Sequence, residues 1–223
     1  ITDWVEKELV RPLLRGRDIS RWHAAPSAYI LCPYSKRFPK NPMPENYLEE
    51  NYPQAMNFFR KFEENLASRK EYRRWKGKNP FYELYRIGEY TFSDYRVVWQ
   101  HTGFKDKFRA ALLEADQLEV IPDQKVILIP VETSEEGSYI VSLLNSKVIE
   151  DCLKRFMLLD ASPQILEFIK IIKFDPKNKL HQEIAELGKD AKNVVKSKEG
   201  KDRIDLIEKH VNTKVEQLYS ENS

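Results

Sequence analysis

Apolar positions along this chain change period several times, and each change marks an element. Ala28-Tyr29-Ile30-Leu31-Cys32 is a continuous apolar run closed by Pro33, the pattern of a short buried strand. Pro39, Pro42, Pro44 and Pro53 then punctuate an extended connector with little regular structure. From about Gln54 to Tyr72 the period becomes helical. Ala55, Phe58, Phe59, Phe62 and Leu66 recur on one face, while Arg60, Lys61, Glu63 and Glu64 hold the other. The run from Arg69 to Lys78 comes next and is broken by Gly77 and Pro80. Residues 81–130 are predicted to be strand-rich. Tyr95 to Trp99 and Lys125 to Pro130 are the best strands, Leu118 to Ile121 is a weaker third, and Pro122-Asp123 is a turn.

Helical spacing returns from Ser138 to Met157, with Ile140, Leu143, Leu144, Val148, Cys152 and Leu153 on the apolar side. Phe168 to Phe174 is a last strand candidate, ending before Pro176. Beyond Asn178 two amphipathic helices are predicted, one on Ile184, Leu187, Val194 and Val195, the other on Ile204, Ile207, Val211, Val215 and Leu218. Ser197 to Lys201, centred on Gly200, separates them, which predicts a helical hairpin. The elements are mixed rather than alternating. That order predicts an α+β fold: a small mixed β-sheet core with packed helices and a C-terminal helical hairpin. Residues 1–178 are read as one domain and 179–223 as the hairpin, packed on it or extending from it.

Charge changes this picture locally. The formal net charge is only +2. Between Ser68 and Arg109, however, eleven Lys/Arg face five Asp/Glu, a balance of +6, and between Ala110 and Glu150 two Lys/Arg face eight Asp/Glu, a balance of −6. The basic stretch also holds Tyr72, Trp75, Phe81, Tyr82, Tyr85, Tyr90 and Phe92. Basic side chains neutralise phosphates, and flat side chains and arginine forks meet bases, so this interleaving suits a nucleic-acid face. Burial is the expectation for Phe81, Tyr85 and Phe92 taken singly. Cys32 and Cys152, each among apolar residues, read as buried thiols of a reducing compartment. No stretch approaches transmembrane length and no signal peptide opens the chain. The opening on Ile1 is read as a segment of a longer, cytoplasmic protein.

Candidate catalytic chemistry is sparse. The seven glycines are scattered, leaving little material for a phosphate-cradling loop. His23, His101, His181 and His210 stand apart from one another and from cysteine, without metal-ligand spacing. No serine sits in a Gly-x-Ser-x-Gly elbow. Asn79-Pro80-Phe81-Tyr82 approaches the Asn/Asp-Pro-Pro-Tyr/Phe loop of adenine methyltransferases, but Phe81 replaces the second proline and no glycine-rich cofactor turn precedes it. It is not read as catalytic; Pro80 is expected to stop the basic run and launch a strand. No catalytic, cofactor-binding or metal-ligating residue is assigned.

Several segments in order resemble one family. Leu13-Leu14-Arg15-Gly16-Arg17-Asp18-Ile19-Ser20-Arg21-Trp22 looks like the opening signature of the TaqI-like C-terminal specificity domain, the target-recognition module of adenine-specific DNA methyltransferases and fused restriction–modification enzymes. Tyr47-Leu48, the helix ending at Arg69 and Pro80-Phe81-Tyr82-Glu83-Leu84 resemble its next block, with Phe81 where tryptophan is common. Leu143-Leu144-Asn145-Ser146-Lys147 resembles its leucine-asparagine-serine helix, and Ile204 to Tyr219 its closing helix. The resemblance implies double-stranded DNA as partner, with a catalytic methyltransferase domain upstream in the same chain. That domain would take S-adenosylmethionine and act on an adenine extruded from the duplex.

Contacts to DNA are expected from Arg17 and Arg21 in the opening segment and from Arg69, Lys70, Arg73, Arg74, Lys76 and Lys78 in the basic run. Tyr82, Arg86 and Arg96 come after it, and Lys105 and Lys107 flank Asp106 at a loop tip. Gly16 is read as a plain turn, with Asp18 capping the residues after it, and Asn145-Ser146 as a packing feature. A second reading is a protein-interaction module that docks through the C-terminal helices and does not bind DNA.

Overall fold

The computed structural model describes residues 3–74, 79–101, 108–117, 119–156, 169–197 and 200–222. The strand β1 (Val10–Leu14) passes through a single 3-10 turn at Gly16–Asp18 into a tiny hairpin, β2 (Ile19–Ser20) and β3 (His23–Ala24), and on to β4 (Ala28–Leu31). Four short helices come next: α1 (Glu45–Asn51), α2 (Pro53–Lys61), α3 (Glu63–Ala67) and α4 (Lys70–Arg74). Then come β5 (Tyr95–Gln100), β6 (Ala110–Leu113), β7 (Ile121–Pro122) and β8 (Val126–Val131). The chain ends in α5 (Ser134–Leu144), α6 (Lys147–Phe156), α7 (Lys179–Ser197) and α8 (Lys201–Glu221).

The largest described sheet has β5 at its centre, antiparallel to both β6 and β8. Val97 lies opposite Leu112 and Ile129, and Trp99 opposite Ala110 and Ile127. These residues face α5 and the main core, whereas Val98, Ala111, Leu113 and Val126 face a second core with Leu14, Ile19 and Ala24. Both faces are therefore covered, and apolar residues occupy successive positions instead of alternating. That explains why Ala110–Leu113, made of good helix formers, carries no strand pattern in the sequence. A second sheet joins β1 antiparallel to β4 and parallel to β7.

α5 lies across the large sheet, α7 packs on α5 and α8 on α7. The hairpin's apolar residues Ile184, Ala191, Val194, Ile207, Val211 and Val215 belong to the same core as Trp99 and Tyr139. α7 crosses α5 closely because Gly188 has no side chain: a Cβ there would stand 2.6 Å from the Ser138 carbonyl and also meet Ser142 Oγ. A separate small core holds Leu9, Met43, Leu48, Ala55, Met56, Phe59 and Tyr82. Pro53 opens α2, and the Glu6 carboxylate accepts from the Gln54 and Ala55 amides at 2.9 and 2.8 Å, satisfying two of its orphan donors.

The architecture is α+β, with small mixed sheets, packed helices and a C-terminal helical pair. Several boundaries differ from expectation. The helix predicted over 54–72 is broken at Phe62 and again before Lys70, where the Arg69 side chain turns back to bond the Leu66 carbonyl. The strand expected after Pro80 is replaced by turns and a 3-10 segment at Glu89–Phe92. The helix expected from Ser138 starts at Ser134, capped by Thr133, whose Oγ1 accepts from the Glu136 amide at 3.1 Å. It is interrupted at Asn145-Ser146; Met157, Leu118 and Phe168 lie outside the described residues, and Ile169–Phe174 forms no strand. No helix among the described residues is long and apolar enough to cross a membrane.

Candidate nucleic-acid interface

The segment from Leu13 to Trp22 folds into a tight turn and then a buried knot. Gly16 is buried, and a Cβ on it would stand 3.0 Å from Gln100 Cγ and 3.2 Å from the Lys125 carbonyl. Its role is thus a close packing contact at the end of the β5–β8 pair. Asp18 caps the turn before it rather than the residues after it: its Oδ2 accepts from the Arg15 amide at 2.9 Å, and its Oδ1 from the Ser27 hydroxyl. Arg17 projects between them, exposed.

Arg21 is a correction to the expectation of a phosphate contact. Its guanidinium donates to Glu208 at 2.8 Å, to the Asn145 carbonyl at 2.6 Å and to the Phe108 carbonyl at 3.2 Å. Glu150 stands 3.7 Å away. Trp22, buried with φ 71°, donates its indole N–H to the same Glu208 oxygen at 2.8 Å. The Asn145 side chain brackets Ala110, donating to its carbonyl at 3.0 Å and accepting from its amide at 2.9 Å. The Trp22 amide donates to that carbonyl too, at 2.9 Å. Asn145 therefore has the packing role expected of it, as does Ser146, whose buried hydroxyl donates to the Leu143 carbonyl at 2.7 Å.

Three further candidates are also turned inward. Arg69 donates to the carbonyls of Leu66, Phe81 and Glu83 at 2.8, 2.7 and 2.9 Å, tying the 81–83 segment to α3. Tyr82 is buried, stacks on Phe59 at 5.2 Å and donates its hydroxyl to the Met43 carbonyl at 2.9 Å. Burial pushes that hydroxyl up to about 12, so it remains a donor. Arg96 is fully buried on β5. Its guanidinium donates to the carbonyls of Thr91, Val120 and Gln117 at 2.7, 2.9 and 2.5 Å, while its Nε finds no acceptor among the described residues. Burial lowers its pKa to about 10, against the opposing effect of Asp94, and leaves it charged at neutral pH. Tyr82 and Arg96 are closed off from the surface, whereas half-buried Arg69 still lines the cleft beside α4.

What remains outside forms one surface. Lys70, Arg73 and Arg74 are exposed along α4. Beside them runs a cleft lined by Lys40, Arg69, Glu71, Tyr72, Glu83 and Gln124, and next to it a second lined by Tyr90, His101, Asp123, Leu128 and Pro130. Tyr85 and Arg86 line both clefts and stand on the ridge between them. Tyr85 is 51% exposed, and the Arg86 guanidinium carbon lies 5.2 Å from its ring centroid. His101 donates its amide to the Lys125 carbonyl at 2.8 Å, and that same carbonyl faces Gly16. This contact places exposed Arg17 and Lys125 at the same end of the sheet. Nearby, Lys40 pairs with Glu89 at 3.2 Å and Lys36 with Asp94 at 2.9 Å.

The structure thus leaves Arg17, Lys70, Arg73, Arg74 and Arg86 outside, buries Tyr82 and Arg96, and spends the half-buried Arg21 and Arg69 on acceptors of the chain itself. Lys76, Lys78, Lys105 and Lys107 lie outside the described residues. Sequence reasoning missed His101, Gln124 and Lys125 as parts of this surface, and its expectation that Tyr85 is buried is corrected by the exposed ring. For Tyr85 the one available signal was its place beside Arg86 in the basic-aromatic stretch. Among the described residues no three His, Cys, Asp or Glu side chains converge as metal ligands.

In fold the chain is similar to the structure of a Type IIL restriction-modification enzyme, MmeI, in complex with DNA, with TM-score 0.63 and 13% sequence identity over 96% of this chain. The match spans 28% of that enzyme's chain. The likeness is one of fold: this chain has the fold of one segment of a restriction-modification enzyme. No protein-family model matches the sequence, and no curated relative matches it.

Proposed function

We propose that the chain is a sequence-specific double-stranded DNA recognition module of an adenine-specific DNA methyltransferase in a restriction–modification enzyme. It would position its site for base flipping by a separate catalytic domain. The observation that carries this reading is the fold, since 96% of the chain matches a segment of a DNA-bound restriction-modification enzyme. The exposed Lys70, Arg73 and Arg74 of α4 support it with the charge needed to hold a phosphate backbone. The ordered motifs that resemble the TaqI-like specificity domain supply the adenine-specific part of the proposal. On that reading S-adenosylmethionine and the chemistry belong to the catalytic domain, and this chain supplies register and site choice. Docking of a protein through the C-terminal helices has less to offer, because their apolar stripes are spent in the core and Leu206 is the large apolar side chain they expose.

Fluorescence anisotropy with a labelled duplex over a salt series tests the reading. The protein is expected to bind at low salt, with log affinity falling linearly against log salt concentration. Arg73→Glu with Arg74→Glu is expected to weaken binding to every sequence and to reduce that slope by about 2, one lost phosphate contact each. In the intact enzyme the same pair should slow adenine methylation of duplex DNA and leave S-adenosylmethionine binding unchanged. Absence of duplex affinity at low salt, or charge reversal without effect, would overturn the proposal.

A further inference from the structure

Arg86 stands in the left-handed backbone region, φ 59°, where glycine is the comfortable residue and a branched, bulky side chain is strained. The strain is held from behind by a chain of bonds. The Tyr90 hydroxyl donates to the Arg86 carbonyl at 2.7 Å. Thr91 closes the turn beyond it, its Oγ1 accepting from the Gly88 amide at 3.2 Å and its own amide donating to the Gly88 carbonyl at 2.9 Å. The Thr91 carbonyl in turn accepts from buried Arg96 at 2.7 Å, and the same guanidinium is fixed by the carbonyls of Gln117 and Val120. Arg96, spent inside the fold, anchors to β5 the loop that carries Arg86. At the tip the Arg86 guanidinium rests against the Tyr85 ring, on the ridge shared by the two clefts.

A phosphate contact requires none of this. Any flexible basic side chain serves as a point charge, and α4 already offers Lys70, Arg73 and Arg74. A bidentate contact to guanine O6 and N7 gains from it, because the planar fork must arrive at one angle and every rotamer frozen beforehand favours binding. Strained, exposed and braced positions are also where functional side chains concentrate. We infer that Arg86, supported by Tyr85, reads one G·C pair in the major groove and is a specificity-determining residue of this protein. The inference rests on the DNA-recognition reading above and narrows it to one side chain and one base pair.

The test is selection from a fluorescein-labelled duplex library with a randomised centre, and then anisotropy on the selected site and on each of its single-pair variants. The wild-type protein is expected to select a site with a fixed G·C pair. Arg86→Ala is expected to lose discrimination at that pair by about ten- to a hundredfold, keeping its other preferences and its salt slope. Arg86→Gly should lose the same preference while its melting temperature is equal to or above wild type, because glycine relieves the backbone. That separates reading from a structural role. The inference is overturned if both variants select the wild-type site with undiminished discrimination. It is overturned equally if they lose affinity for all sequences alike with a slope shallower by about one, the mark of a phosphate contact. A wild-type protein without duplex affinity would sink the DNA reading itself and this inference with it.

Discussion

Replacing Glu208 by alanine removes one oxygen that accepts two hydrogen bonds, from Arg21 Nε and from the Trp22 indole, both at 2.8 Å. The surroundings are nearly dry: the Arg21 and Glu208 side chains are 16% and 17% exposed. An orphaned buried donor costs roughly 1–3 kcal/mol, and stripping one partner from a buried ion pair about 3–5 kcal/mol. Arg21 keeps Glu150 at 3.7 Å and the two carbonyls, and some water reaches the pair, so the lower part of that range applies, about 3 kcal/mol. For a chain of this size 1 kcal/mol corresponds to roughly 2–4 °C, so Glu208→Ala should lower the melting temperature by about 6–12 °C. Glu208→Gln keeps an acceptor oxygen and loses the charge, for about 1 kcal/mol. Thermal melts and urea titrations of the three proteins give the numbers, and hydrogen exchange should show α8 loosening first in the alanine variant. A Glu208→Ala protein melting within about 2 °C of wild type, or a glutamine variant as damaged as the alanine one, would refute this arithmetic.

Two other perturbations address the helical layer. Gly188→Ala gains intrinsic helix propensity but drives a methyl against the Ser138 carbonyl and Ser142 Oγ, so a net loss of about 1–2 kcal/mol in urea unfolding is expected, and a stabilised variant would contradict the close crossing of α5 and α7. Buried His181 accepts the Asp175 amide on Nδ1 at 2.9 Å, and burial holds its pKa below the ordinary 6.5 although Asp175 pulls the other way. The folded state therefore takes the proton less readily than the unfolded chain: this contribution is complete above about pH 6.5 and is lost as pH falls below it. Unfolding titrations of His181→Gln, which keeps an acceptor without titrating, should show a shallower decline between about pH 7 and about pH 5, and an unchanged profile would count against the assignment. His23, lowered by burial and then by Lys192 and Lys196, should act with the same sign.

Elements with strong patterns were legible: the β-branched runs of β5 and β8, and the two amphipathic helices of the hairpin, whose stripes needed partners and found them in α5 for α7 and in α7 for α8. β1 and β6 were not. Arg11 and Pro12 interrupt the apolar run of β1, and β6 is covered on both faces, so neither alternates. Charge was legible as composition and illegible as position. Arg21, Arg69 and Arg96 look like Arg73 and Arg86 in sequence, yet each answers backbone carbonyls that only the folded chain brings together. Tyr82 and Tyr85 are three residues apart in a segment with no periodicity, and nothing in the sequence says which one turns inward.

Residues far apart along the chain converge in space on one knot. Arg21 and Trp22 after the first strand, Asn145 at the end of α5 and Glu208 of α8 are joined through the Ala110 peptide and one carboxylate oxygen. Such a knot fixes how hairpin, sheet and helices meet, and it faces away from solvent. A frame of this kind tolerates change at the exposed ridge, because neither Tyr85 nor Arg86 contributes to it. On the proposed DNA-recognition role, the side chains that choose a site should accordingly lie on that ridge and outside the knot. Arg86 meets both conditions, and its marks are a backbone angle that the sequence does not display and the bonds that hold that angle in place.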